Sequence, residues 1–464
     1  MAPVEVGARR HQQAVQGVVA SYAAIPAGAP VRLAKRTSNL FRARERPALP
    51  GLDVGDLGGV VCVAEDARTA DVQGMCTYSD LVDVTLAHGL MPLVVPQLRT
   101  ITLGGAVTGL GIESTSFREG LPHESVLEMD VLTGAGDVVT ARPQGEHADL
   151  FAAFPNSYGS LGYATRLRIE LAPVQPYVAL RHVRFDDLDL LAEAVEVLVA
   201  ERELDGAPVD FVDGVMFAPD RSYLTLGRWA DEVDETSDFT GQQVYYRSIE
   251  QRRTDALTVR DYLWRWDTDW FWCSAAFGAQ RPLVRRLWPS RYRRSDVYHR
   301  LVGLENRFGV VGRVGRFRGK APRERVVQDV ELPISTLSTF LRWFDAEVGM
   351  RPVWLCPLRL REPAGPGSGR RWPLYPLAPA RTYVNAGFWG TVATAAGARD
   401  GSVNSTIERK VSELGGHKSL YSDAYYEREE FDRLYDGATW QRVRQRYDPE
   451  HRLTGMYEKA VGCR

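Results

Sequence analysis

Residues 96–116 read PQLRTITLGGAVTGLGIESTS, and the four glycines Gly104, Gly105, Gly109 and Gly111 constrain the chain more than any other feature. Glycine carries no Cβ, so backbone at these positions can approach a flat ring or a pyrophosphate closely. Thr100 and Thr102 add hydroxyls at the edge of the run, and Ser114 follows within it. The spacing is not G-x-G-x-x-G and no βαβ pattern surrounds it, so a doubly wound dinucleotide fold is not signalled. A glycine-rich structural loop is the other use of the same residues.

Two further stretches could approach the same ligand. Arg36, Thr37, Ser38, Asn39 and Leu40 follow a β-like segment at 31–34. A turn of small polar residues after a strand can aim successive N–H groups at a phosphate, with Lys35 or Arg36 adding charge. Residues 156–165, NSYGSLGYAT, place Gly159 and Gly162 between a predicted helix and a predicted strand. Taken singly, the first reads equally well as a surface turn and the second as a helix C-cap.

At 464 residues the chain exceeds one ordinary core and predicts two domains sharing a cleft. Apolar spacing predicts a helix over 9–25, paired strands around 60–63 and 70–72, and a helix over 78–88 opened by Ser79. Residues 89–120 are expected to be largely irregular. A hairpin over 126–141 turning at 134–137, a helix at 147–154 and a strand at 163–171 complete the first unit, 1–175, before a linker at 173–176. A second unit, 176–405, carries the aromatic run YLWRWDTDWFW at 262–272 and a pliable insertion at 362–370. A segment at 406–464 returns to helical patterning.

A net charge of −2 with 25% charged residues offers nothing that would gather nucleic acid. The five cysteines are scattered without a C-x-x-C pair or a metal-ligand spacing. No stretch supplies about 18 consecutive apolar residues, so the cytoplasm is the expected location.

Together the three glycine and turn stretches resemble the FAD-binding domain of the vanillyl-alcohol oxidase type, also called PCMH-type. The resemblance implies an α+β fold: a two-subdomain FAD-binding domain, then an α+β substrate or cap domain with an antiparallel sheet. It further implies that 36–40 cradle the pyrophosphate, 96–116 back the isoalloxazine, and Gly159 and Gly162 lie at the adenine. Neither 31–46 nor 96–116 contains the histidine that binds flavin covalently in many such proteins, so non-covalent FAD is expected. VVPQLRTITLGGAVTGLGIESTSFREGLPHE, HADLFAAFPNSYGSLGYATRLRIEL, WLCPLRL and GGHKSLYSDAYYEREEFDRLYDG are similar to the Δ24-sterol reductase group. They are more similar still to the actinobacterial reductases that saturate a 10-methylene fatty acyl chain to its 10-methyl form.

That resemblance implies NADPH as a transient electron donor, a lipid acyl substrate, and a methyltransferase partner of the same pathway. An isolated methylene has no carbonyl to accept charge, so protonation must accompany hydride delivery. Trp264, Trp266, Trp270 and Trp272 are candidates for the substrate wall, where aromatic faces stabilise developing positive charge. Asp269 and Asp267, embedded among them, are candidate acids or partners of Arg260 and Arg265. A C-terminal segment folding over flavin would bring His417, Lys418, Tyr421 and Asp423 to the site, with Lys418 near FAD and Tyr421 or His417 on the substrate side. If the acyl chain is still part of a phospholipid, Arg285, Arg286, Arg291, Arg293 and Arg294 beside Trp288 and Tyr292 are expected to touch the inner membrane face. The alternatives are a Δ24-sterol reductase-like enzyme, a sugar or polyol oxidase with a polar wall, and a non-catalytic lipid-binding flavin protein.

Overall fold

The computed structural model describes residues 5–35, 41, 51–308, 322–361, 372–395 and 397–461. The phosphate turn expected at 36–40 and the insertion expected at 362–370 lie outside the described residues.

The first sheet has six antiparallel strands, ordered Val60–Ala64, Thr69–Gln73, Tyr163–Pro173, Val126–Leu132 and Val138–Ala141, with Leu90–Pro92 also paired to Tyr163–Pro173. Tyr163–Pro173 explains the arrangement. Thr165, Leu167, Ile169 and Leu171 are buried while Arg166, Arg168 and Glu170 alternate outward, so one face is a core and the other meets water. Each inward leucine or isoleucine contributes about 1.5–3 kcal/mol through burial. On the outer face Arg166 pairs with Asp71, Glu128 and Asp130 of both neighbouring strands.

The N-terminal helix is Gly7–Ala23, and the hairpin turns where Thr133 N–H bonds Asp137 O at 2.9 Å. Two local expectations are corrected. Thr77 caps the helix Tyr78–Leu86, accepting from Asp80 N–H, because Ser79 already lies inside the first turn. The stretch at 89–120 is largely irregular, with the short strand Leu90–Pro92 and the helices Leu103–Thr108 and Ser116–Glu119 set in it. The β-like segment at 31–34 makes only isolated parallel bridges, Val31 to Leu453 and Leu33 to Leu52.

Tyr163–Pro173 leads through residues 174–176 into the second sheet, eight antiparallel strands in the order Thr254–Thr258, Tyr177–Phe185, Arg221–Ala230, Phe211–Ala218, Val353–Leu358, Tyr383–Ala393, Arg323–Pro333 and His417–Lys418. The helices Leu188–Glu201 and Ile334–Glu347 cover one face with Leu191, Val195, Leu198, Leu337, Leu341 and Phe344. Aromatic residues cover the other, which explains why Phe211–Ala218 is buried at every position. Beyond His417–Lys418 the chain returns to the first domain, where Trp440 Nε1 donates to Ser160 Oγ at 2.8 Å and Val31 N–H to Arg452 O at 2.8 Å.

Candidate active site

The two sheets and the returning C-terminus enclose a cavity of about 400 Å³. Its floor is the glycine-rich run. Thr102 caps Leu103–Thr108, its hydroxyl accepting from Gly105 N–H at 3.2 Å, while Gly104 N–H bonds Gly74 O at 2.9 Å. Thr102, Gly104, Gly105, Gly109 and Gly111 all line the cavity. Packing behind the floor also demands two of these glycines: a Cβ at Gly104 would stand 2.6 Å from Gly74 O, and one at Gly111 2.6 Å from Pro122 Cγ. Gly159 and Gly162 line the adjoining wall, Gly162 at φ +141°. Thr100 and Ser114 do not line it. Ser114 is turned into the core, bonded to Glu113 and, at 2.7 Å, to the Tyr262 hydroxyl.

Arg32, Lys35 and Lys459 bring positive charge to the cavity lining. Lys459 Nζ also donates to Tyr158 O and Gly159 O at 3.0 and 2.8 Å, bracing the loop that carries Gly159. An apolar, aromatic end is formed by Phe41, Trp270, Phe271, Trp354 and Trp389, which pack ring against ring. Trp270 and Phe271 have φ of 45° and 58°, a conformation bulky residues adopt only when their surroundings impose it. Their N–H groups are held by the preceding turn, Trp270 donating to Asp267 O at 3.1 Å and Phe271 to Trp266 O at 2.9 Å. Phe271 then reaches Trp389 at 4.3 Å between ring centroids.

Of the four tryptophans expected on the substrate wall, only Trp270 lines the cavity. Trp266 is buried, with Nε1 donating to Asp213 at 2.8 Å; Trp264 packs beneath the Arg99 guanidinium; Trp272 Nε1 points to Trp389 O at 3.4 Å. The reason is that residues 264–272 fold as successive tight turns rather than a strand, so alternate side chains do not share a face. Asp269 is likewise removed from the candidate acids: it is buried and salt-bridged to Arg285 at 2.7 Å.

The C-terminal candidates divide as well. Tyr421 lines the cavity. His417 does not; Glu331 stands 3.3 Å away, and burial pushes the imidazole down to about 3 and the Glu331 carboxyl far above its ordinary range. Lys418 is also outside the cavity, fully buried and paired with Glu408 at 2.7 Å. These two residues are the edge strand, and their partners hold that edge in place. Asp423 pairs with Arg325 at 2.8 Å.

Sequence reasoning missed Asp329, Asn385, Trp354 and Trp389. Asp329 lies on the strand Arg323–Pro333, where a buried carboxylate gives no periodic signal. It is buried and lines the cavity, accepts from Asn385 Nδ2 at 2.8 Å, and shares a hydrogen bond with Tyr421. Burial pushes its carboxyl up to about 6, against the pull of the Asn385 and Tyr421 bonds. Tyr421 is partly buried in the cavity wall, and desolvation holds its phenol well above the ordinary tyrosine range. Trp389 Nε1 donates to the phenol oxygen at 2.8 Å.

These residues fit FAD on the chemistry of the cavity wall. Arg32, Lys35 and Lys459 supply cations for a pyrophosphate, and a floor free of side chains suits a planar ring. Asn385 Oδ1 is buried with no hydrogen-bond partner among the described residues, an acceptor suited to a ligand N–H or O–H.

Residues 10–142 match the FAD binding domain family, so this part of the chain is a PCMH-type FAD-binding domain within an α+β fold. Its relatives narrow the class. The chain is similar to the Δ24-sterol reductase of Mus musculus, 27% identical over 382 residues that cover 79% of this chain and 69% of that protein. Against the Δ24-sterol reductase of Arabidopsis thaliana it is 22% identical over 453 residues, 88% of this chain and 76% of the other. A shorter match, 34% identical over 179 residues, is to cytokinin dehydrogenase 7 of Oryza sativa subsp. japonica and covers 37% of this chain and 34% of that protein. Among the described residues no helix is long and apolar enough to cross a membrane, and no group of ligating side chains could hold a metal ion.

Proposed function

We propose that this chain is a reductase of an isolated carbon–carbon double bond in a lipid. The specific reaction is saturation of a 10-methylene fatty acyl chain to its 10-methyl form, with NADPH as electron donor and FAD held without a covalent bond. The observation that carries this reading is a single cavity with an aromatic, apolar end and with buried Asp329 beside Tyr421 at its wall. A polyol oxidase would need polar groups along that end instead. Similarity to Δ24-sterol reductases over most of the chain supports reduction of a C=C bond, and a Δ24-sterol is the second substrate to test.

Bound and reduced, FAD supplies the hydride. The protein must supply the proton and keep water away. Tyr421 retains its proton at neutral pH and stands in the cavity wall, so it is the donor to the terminal CH2 carbon. The Trp389 N–H bond stabilises the negative charge that develops on the phenol oxygen as the proton leaves. Asp329, hydrogen-bonded to the phenol, restores the proton when its own carboxyl is protonated. Trp270, Phe271 and Trp354 exclude water and present ring faces to the cationic character on the tertiary carbon.

The test is anaerobic: NADPH is added to FAD-loaded protein, excess is removed, and 10-methylene lipid or a Δ24-sterol follows. Flavin reoxidation stoichiometric with a product two mass units heavier is expected for the methylene lipid. Reoxidation by the sterol alone overturns the acyl assignment, and reoxidation by neither overturns C=C reduction of these lipids.

A further inference from the structure

Seven large apolar side chains are exposed among the described residues, and three of them fall within 283–292: Leu283 at 78%, Leu287 at 83% and Tyr292 at 46%. Leu283 and Leu287 lie four apart on the helix Pro282–Leu287 and so share a face. That helix is turned inside out relative to an ordinary surface helix. Its buried residue is Arg285, whose guanidinium salt-bridges Asp269 and donates to the carbonyls of Phe239, Gly241 and Gln243 at 3.0, 2.8 and 2.7 Å. Arg293 adds a second clamp, donating to the carbonyls of Thr240, Gly241 and Trp288. Polar anchors face inward and leucines face outward, the reverse of what burial in water selects. The arginine cluster expected to touch a membrane as a unit is therefore divided, since Arg285 and Arg293 are internal.

Around the leucines Arg281, Arg286 and Arg291 are exposed, and no acidic residue occurs between Asp269 and Asp296. An apolar wedge with exposed arginines on its own segment matches a bilayer carrying anionic head groups, where leucines enter the acyl boundary and arginines meet phosphates. The patch is also joined to the cavity. On the helix Ser295–Phe308, Tyr298 packs against Trp288 at 6.0 Å, while the next residue, His299, packs against Phe41 at 5.3 Å and Trp270 at 6.1 Å.

We propose that residues 281–292 dock the protein on an anionic bilayer and set the aromatic end of the cavity towards the lipid. The docking stands on the surface itself; only the nature of the cargo rests on the function proposed above. The test uses the full-length FAD-loaded protein in vesicle flotation, with phosphatidylcholine alone or mixed with phosphatidylglycerol. Wild type is expected to float with the mixed vesicles. Leu283→Ser/Leu287→Ser should weaken that binding by about tenfold or more at every salt concentration. Arg281→Gln/Arg286→Gln/Arg291→Gln should remove the preference for anionic vesicles, and Leu190→Ser, an exposed leucine elsewhere, should change nothing. Turnover of vesicle-embedded substrate should fall in both patch variants while turnover of detergent-dispersed substrate persists. Wild type that stays unbound, or a leucine variant that floats like wild type, overturns the proposal. So does a leucine variant that only converts an oligomer to a monomer in sedimentation, which would make the face a contact between copies. Vesicle binding lost in the variants, with no lipid turned over in any form, upholds docking and overturns the substrate assignment alone.

Discussion

Tyr421 and Asp329 sit side by side, and burial acts on both in the same direction, holding the proton on each. Tyr421→Phe removes the donor and leaves the ring, so turnover should fall by about 10²–10⁴-fold while FAD content is unchanged. Unchanged turnover would remove Tyr421 from the reaction. For Asp329 the sign follows from a carboxyl raised from 3.8 to about 6. Between these values the folded chain holds a proton that the unfolded chain releases, so the site favours folding below 3.8 and its contribution is lost as pH rises through about 6. Proton supply follows the same titration: turnover should fall by up to tenfold per pH unit above about 6 if reprotonation limits the rate. Asp329→Asn should lower turnover and abolish that limb of the pH profile, measured with saturating donor. Tyr421 was legible as a polar residue in a returning segment. Asp329 was not, because a lone carboxylate in a strand reads as an outward position until the neighbouring strands show that both faces are covered.

The aromatic run at 262–272 shows how an element can be recognised correctly and oriented wrongly. Its crowding of tryptophans marks a buried, apolar environment, and Trp270 does reach the cavity. The orientation of the others is decided by Arg265, fully buried with Glu113 at 3.2 Å and Asp213 at 2.9 Å, its guanidinium 3.9 Å above the Tyr262 ring. Asp213 in turn accepts from Trp266 Nε1 and Trp354 Nε1. Arg265→Met leaves two buried carboxylates without their cation and is expected to destabilise the fold by about 3–5 kcal/mol, read from the urea midpoint. A loss below about 1 kcal/mol would show that the network is dispensable. The helix Leu103–Thr108 was hidden for a different reason. Two glycines in six residues oppose helix propensity, and only the Thr102 cap, with its hydroxyl three residues before Gly105, announces a start.

For the whole molecule the decisive feature is closure of the cavity by the C-terminus. Asp448 accepts from Arg452 and Leu453 N–H at 2.8 and 3.0 Å, and Arg452 bonds the Tyr22 hydroxyl at 2.5 Å, pinning the last turn to the N-terminal helix. Thr454 and Lys459 then line the cavity. Deleting residues 448–464 should leave the second sheet intact, because its last strand is His417–Lys418, yet weaken FAD binding by at least about tenfold. Flavin absorbance of the purified protein, with far-ultraviolet circular dichroism as the control for folding, checks this. Full flavin content after truncation would show that the returning segment is not needed to hold the cofactor.

Composition, glycine placement and strand alternation determined locally that residues 60–173 form an antiparallel unit with side-chain-free backbone at one edge. Those signals are short-range: a missing Cβ, a period of two, a capping hydroxyl. Which side chains meet in the cavity was decided only by the tertiary structure, since Trp270, Asp329, Asn385, Tyr421 and Lys459 come from five separated segments. No sequence period links them. The packing of two sheets and one returning tail creates the low-dielectric space in which the Asp329 carboxyl keeps its proton up to about pH 6.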